Sequence, residues 1–120
     1  MGDFQKLKVW QRAKNLAVST YKVINQGPFS RDYCLKDQIW RSAISIPSNI
    51  AEGDELNTNK QSVNFFYTAK GSTAELLTQA IIAYEIDHFD QSQFDLIKEE
   101  CNAISSMLTK LIKARLKTSS

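Results

Sequence analysis

The 120 residues hold few of the groups that staple, break or span a fold. Cysteine occurs twice, at Cys34 and Cys101, with no second cysteine near either, which excludes a zinc knuckle or a redox dithiol and fits a reduced compartment. Histidine occurs once, at His88. Proline occurs twice, at Pro28 and Pro47, and after Gly2 only Gly27, Gly53 and Gly71 interrupt the chain, so disorder is expected only at the ends. No segment approaches the roughly 20 apolar residues of a membrane span, and the opening Met-Gly-Asp-Phe-Gln-Lys-Leu-Lys-Val-Trp has charge where a signal peptide needs an apolar run. The expectation is a soluble, unexported, cytoplasmic protein. A formal charge of +2 is too small to argue nucleic-acid binding by bulk electrostatics.

What the chain does have is helical rhythm. Trp10, Ala13, Ala17, Thr20 and Ile24, with Leu16 and Val23 beside them, form one face of a helix over about 5–25. Gly27-Pro28 ends it. A second helix, about 31–53, is capped by Ser30 or Asp32, carries Leu35, Ile39, Ala43, Ile46 and Ile50 inward, and closes at Gly53. Pro47 predicts a kink there, with the Ser45 and Ser48 hydroxyls placed to serve backbone groups it frees. A third helix, about 59–88, starts at Thr58 or Asn59 and repeats Phe66, Ala69, Thr73, Leu76, Ala80 and Tyr84; Gly71 inside it predicts a close neighbouring helix. Asp90 caps a fourth, about 91–116, with Phe94, Ile97, Cys101, Ile104, Leu108 and Leu111, and Thr118 to Ser120 should fray. Isolated β-branched residues leave no strand pattern. Short connections make neighbours antiparallel, so residues 1–120 read as one all-α domain, an antiparallel up-down-up-down four-helix bundle.

Two polar stripes run beside the apolar ones. Arg41, Ser45, Asn49 and Glu52 share a face of the second helix, and Thr68, Ser72, Glu75 and Gln79 one of the third. They can satisfy each other within a subunit or across a subunit boundary. Trp40, with Trp10, Phe65 and Tyr67, lies partly outside the core stripes, where large aromatics often anchor interfaces. Lys6, Lys8 and Arg12 start the first helix and Lys110, Lys113, Arg115 and Lys117 end the fourth, at the same end of an up-and-down bundle. They form either a phosphate-binding patch or a solvated, dipole-complementing surface, with Glu52, Asp54 and Glu55 weakening it.

Catalytic chemistry finds little support. Glu85-Ile86-Asp87-His88 has the Glu-x-x-His spacing of di-iron bundles, but such sites need a second copy and no other histidine exists. Cys34 or Cys101 with His88 makes a weak catalytic pair, since Cys101 falls on the core stripe. No enzyme, metal or cofactor is expected, and replacing His88 with alanine is expected to change nothing.

Leu7-Lys8-Val9-Trp10-Gln11 followed by Ala13 and Tyr21, then Gln38 to Gly53 with its Ser-Ile-Pro-Ser-Asn-Ile-Ala-Glu-Gly, then Ala69-Lys70-Gly71-Ser72 with Glu75-Leu76, resemble the motifs of bacterial four-helix bundle proteins named for open reading frames in 23S ribosomal RNA intervening sequences. The resemblance covers nearly the whole length. It implies a homopentameric ring without catalytic residues, similar to the accessory proteins of diversity-generating retroelements, which bind nucleic acid and a reverse transcriptase. Together these readings lead to a homo-oligomeric assembly or adaptor that touches structured RNA or other nucleic acid through its basic end. The alternative is a module that recruits a protein partner through Trp40 and Phe65.

Overall fold

A computed structural model describes residues 3–56 and 58–117; the fraying expected for Thr118–Ser120 falls outside them. After a 3-10 turn at Phe4–Lys6, α1 spans Lys8–Ile24, a second 3-10 turn covers Gly27–Arg31, and α2 (Tyr33–Glu55), α3 (Asn59–Glu85) and α4 (Gln91–Lys117) follow. The starts of α2, α3 and α4 are capped by side chains, while α1 begins after Leu7 without one. Asp32 accepts the Leu35 N–H at 3.1 Å and Thr58 accepts that of Gln61 at 3.2 Å. At α4, Asp90 accepts from the Gln93 N–H while the Gln93 side chain accepts from the Asp90 N–H, both at 2.8 Å, a reciprocal capping box.

Each helix packs against its sequence neighbours, and α1 also meets α4, which closes a ring of four. Pairs across the interfaces fix direction. Ser42 meets Glu75 and Ser45 meets Ser72, so α3 runs against α2; Tyr21 meets Trp40, and Phe4 lies beside Ala51 and Leu56, so α1 runs against α2. The result is an elongated all-α bundle, 50 × 21 × 19 Å. Its core is the set of stripes read from the periodicity, with Ile39, Ala43, Ile46 and Ile50 facing Phe66, Leu76, Ala80, Ile97, Ile104 and Leu108. At the flanks, Val9 and Ala83 are buried while Trp10 and Tyr84 remain half-exposed, and on α4 Ile112 rather than Leu111 is buried.

Several local expectations change. The segment before Lys8 is a 3-10 turn rather than helix. Gly53 does not close α2, which continues to Glu55. The glycine is buried against α3, where a Cβ would lie 2.6 Å from Phe66 Cε1 and 3.0 Å from the Ser62 carbonyl oxygen, so the close approach has room for glycine alone. Gly71, by contrast, has nothing among the described residues within 4 Å of a Cβ, so none of the other three helices passes close to it. α3 ends at Glu85, before the expected position, because Asp87 takes a left-handed φ of 65° and turns the chain into α4. Gly27, at φ 57°, makes the expected turn after α1. α2 continues on both sides of the buried Pro47 as one helix, and the Ser45 hydroxyl meets Ser72 of α3. No helix among the described residues is long and apolar enough to cross a membrane.

Candidate functional site

The two polar stripes meet each other within one chain. Ser45 Oγ and Ser72 Oγ lie 2.9 Å apart, and Asn49 donates from Nδ2 to the Ser45 carbonyl at 2.8 Å and to Ser45 Oγ at 2.9 Å. Glu75 Oε1 accepts from Ser42 Oγ at 2.7 Å. Ser42 is buried and belongs to this network, although its position off the Arg41–Ser45–Asn49 stripe hid it from the periodicity. Arg41 instead pairs with Asp37 on its own helix at 2.9 Å, and Glu52 is exposed. The Gln79 side-chain oxygen is buried without a hydrogen-bond partner among the described residues.

The cations of the expected basic end divide into two groups. Arg12 donates from Nε and Nη2 to the two carboxylate oxygens of Glu100, at 2.8 and 3.0 Å, a bidentate bridge from α1 to α4. The hydrogen bond and the charge of Glu100 hold the guanidinium more firmly protonated, and the same bond lowers the Glu100 carboxyl below its ordinary range. Arg115 donates to Asp54 at 2.8 Å and lies over the Phe66 ring, 5.3 Å from its centroid. Asp54, expected in a polar connection, is buried. Lys6, Lys8, Lys110, Lys113 and Lys117 are exposed; Lys6 lies 3.8 Å from Asp3, a loose surface pair.

His88 is engaged rather than solvated. Its Nε2 lies 2.9 Å from Asp32 Oδ2, so the residue that caps α2 also holds the α3–α4 turn. The ring packs on Phe29, which in turn meets Phe89, and both phenylalanines are buried. The Leu35 N–H first, and His88 second, lower the Asp32 carboxyl below its ordinary value. Cys101 is buried, and loss of hydration pushes its thiol up to about 12, which denies it thiolate character near neutrality. Cys34 is exposed. Among the described residues, no group of three or more histidine, cysteine or carboxylate side chains converges on a point that could hold a metal ion.

Two surface features contain the off-stripe aromatics Tyr67 and Trp40 and extend beyond them. The middle of the outer face of α3, turned away from the core, carries Tyr67, Gly71, Ala74, Thr78, Ile81 and Ile82 at helical spacing, all exposed and uncharged, with Lys60 and Glu85 on the same face at its two ends. Tyr67 is 55% and Ile82 47% exposed. Between α1 and α2, Tyr21, Ile24, Asn25, Tyr33, Cys34, Lys36, Asp37, Gln38 and Trp40 line an open groove of about 580 Å³. There Tyr21 and Trp40 meet edge to face, centroids 5.1 Å apart.

No functionally curated protein matches the sequence. A crystal structure of a protein of unknown function from the S23 ribosomal protein family of Bacteroides thetaiotaomicron is similar in fold, with a TM-score of 0.78 at 21% identity over 88% of this chain and 98% of that one. The order and packing of the four helices agree with the motif pattern in the sequence, and residues 5–110 match a single family description: the chain belongs to the 23S rRNA-intervening sequence protein family.

Proposed function

We propose that the protein is a non-enzymatic assembly or adaptor module that works as a homo-oligomer, with a pentameric ring as the expected form. The observation that carries this reading is the middle of the outer face of α3, where the stretch from Tyr67 to Ile82 lies uncharged between Lys60 and Glu85 at its ends and Lys70 and Glu75 at its edges. A helix at the surface of a monomer normally shows charge opposite its core stripe, whereas a helix apolar on both sides is normally covered on both. Tyr67, Ile81 and Ile82 supply contact area, and Gly71 and Ala74 between them leave room for a second helix to approach. Gly71 costs a helix about 1 kcal/mol relative to alanine, and no close contact among the described residues requires it. The Ser42–Glu75 and Ser45–Ser72 bonds are made within the subunit and serve to set α2 against α3.

Native mass spectrometry tests the reading. The wild-type protein should run as a multimer, and Ala74→Arg, an exposed and helix-compatible change, should yield monomers of unchanged helicity. A monomeric wild type ends the proposal.

A second reading concerns structured RNA. Lys8, Lys110, Lys113 and Lys117 are exposed, and no described carboxylate lies within 4.0 Å of them. Repeated around an oligomer, such modest contacts add through avidity. We assign Arg12 and Arg115 to the fold, so phosphate contact rests on the lysines. Binding of ribosomal RNA should weaken steeply with salt; a titration flat even at low salt removes this arm and leaves a protein-recruiting module.

A further inference from the structure

We propose that the apolar hollow beside the last turn of α2 is a binding site for a small primary ammonium with an apolar body, such as an arylalkylamine. The site depends neither on the oligomer nor on the lysines at the end of α4. It arises because α1 begins only at Lys8, and the 3-10 turn Phe4–Lys6 takes its place against the end of α2. Phe4, Ala51, Leu56 and Phe65 remain half-buried there, and with Glu52 and Glu55 they enclose about 440 Å³. That volume lies within the range of small-ligand clefts. The surface of the hollow is almost wholly apolar, so the two glutamates line it with their stems and hold their carboxylates at its rim.

Charge decides which apolar ligand fits. Glu52 and Glu55 stand three positions apart on one face of α2. No described lysine, arginine or histidine nitrogen lies within 4.0 Å of either carboxylate, and no cation lines the hollow. The last turn of α2 contains no basic residue, so the negative end of the helix dipole adds to these carboxylates instead of being offset. Arg115, which reaches this helix end from α4, donates to Asp54. A fatty acid would meet repulsion at such a rim, and a neutral ligand would leave it unused. A primary ammonium supplies three donors for the two carboxylates. Its apolar body covers the exposed parts of Phe4 and Phe65, and aromatic faces also attract a cation.

The test titrates the intact protein by calorimetry at low salt with phenylpropylammonium, beside the isosteric phenylpropanol and phenylpropanoate. The ammonium should bind about tenfold more tightly than the alcohol, the worth of one charge-assisted hydrogen bond, and the carboxylate should bind weakest. Glu52→Gln/Glu55→Gln, surface changes compatible with a helix, should erase that preference and leave alcohol binding unchanged. Phe65→Leu should weaken both ligands, with helicity by circular dichroism kept in each variant, and Tyr33→Ala in the α1–α2 groove should change nothing. No binding by the wild type, an alcohol that binds as tightly as the ammonium, a preference that survives Glu52→Gln/Glu55→Gln, or loss of binding in Tyr33→Ala each overturns the proposal. If the wild type fails to bind and Ala74→Arg binds, a neighbouring copy covers the hollow, which overturns the ligand site and leaves the assembly reading standing. An acetylated phenylalanyl-lysine amide that binds more tightly than the free amine makes a protein side chain the occupant and overturns the small molecule.

Discussion

At the scale of single residues, the two helical glycines of this chain look alike in sequence and differ in space. Gly53 lies where α2 and α3 approach closely, and a methyl group would meet both the ring of a fully buried phenylalanine and a backbone oxygen, neither of which has room to yield. Gly53→Ala should therefore destabilise the fold by about 1–3 kcal/mol. Gly71→Ala meets open space and should stabilise the isolated subunit by up to about 1 kcal/mol, because it removes only the helix penalty. Urea unfolding of the two variants, the second in the monomeric Ala74→Arg background, reads both signs. Closure was expected at Gly53 and close approach at Gly71, whereas within this chain the close approach is at Gly53 and neither glycine closes its helix. Periodicity marks a glycine as out of place in a helix, but the partner surface that explains it comes from a different part of the chain. Asp54 makes the same point: it follows a glycine near a helix end and reads as loop, yet Arg115, 61 positions away, draws it into the interior.

At the scale of elements, the helices and their inward faces were legible because each stripe repeats at three and four, and a repeated signal survives the loss of one position. The Asp32, Thr58 and Asp90 caps were legible for a similar reason, since capping chemistry is local. The link between the start of α2 and the α3–α4 turn was not. His88 and Asp32 are 56 residues apart, and only the antiparallel packing of α2 and α3 brings them to 2.9 Å. His88→Ala, expected from sequence to be silent, should instead cost about 1 kcal/mol by removing that bond and a ring contact with Phe29. The link also gives a pH dependence. The Asp32 carboxyl is lowered in the folded protein, so the stability it contributes is fully present above its unfolded value near 4 and is lost as pH falls through the lower folded value. Glu100, lowered by Arg12, acts in the same direction. Asp32→Asn keeps a competent cap and removes the titration, so the acid-side slope of stability should flatten, while stability near neutrality falls less than in His88→Ala. Denaturant midpoints across pH 3 to pH 6, on the order of the carboxylate range, measure this; an unchanged slope assigns the acid sensitivity elsewhere.

At the scale of the whole molecule, the bundle has one unequal member. α1 has 17 residues against 27 in α3 and α4, so at 1.5 Å per residue it is about 26 Å long beside partners of about 40 Å. The end of the α2–α4 side that α1 does not reach is therefore left to the 3-10 turn at Phe4 and to the last turns of α4. α2 and α4 are diagonal, and among the described residues their backbones do not approach each other, so they meet only through core side chains. Arg115 spans that diagonal to Asp54, whose side chain is only 6% exposed, and its guanidinium covers the Phe66 ring that packs on Gly53. The pair thus closes the end that α1 does not reach. Removing one partner leaves a buried carboxylate without its counter-ion, so Arg115→Met should destabilise the protein by about 3 kcal/mol, although the methionine keeps much of the contact with Phe66. Removing both charges should be far milder: in Asp54→Leu/Arg115→Met most of that loss should return, since an apolar pair of similar size can replace a buried ion pair. A double-mutant cycle in urea decides. If Arg115→Met alone costs no more than a surface ion pair, the diagonal contact is not what holds the long ends of α2 and α4 together, and the closure must come from the apolar residues beneath it.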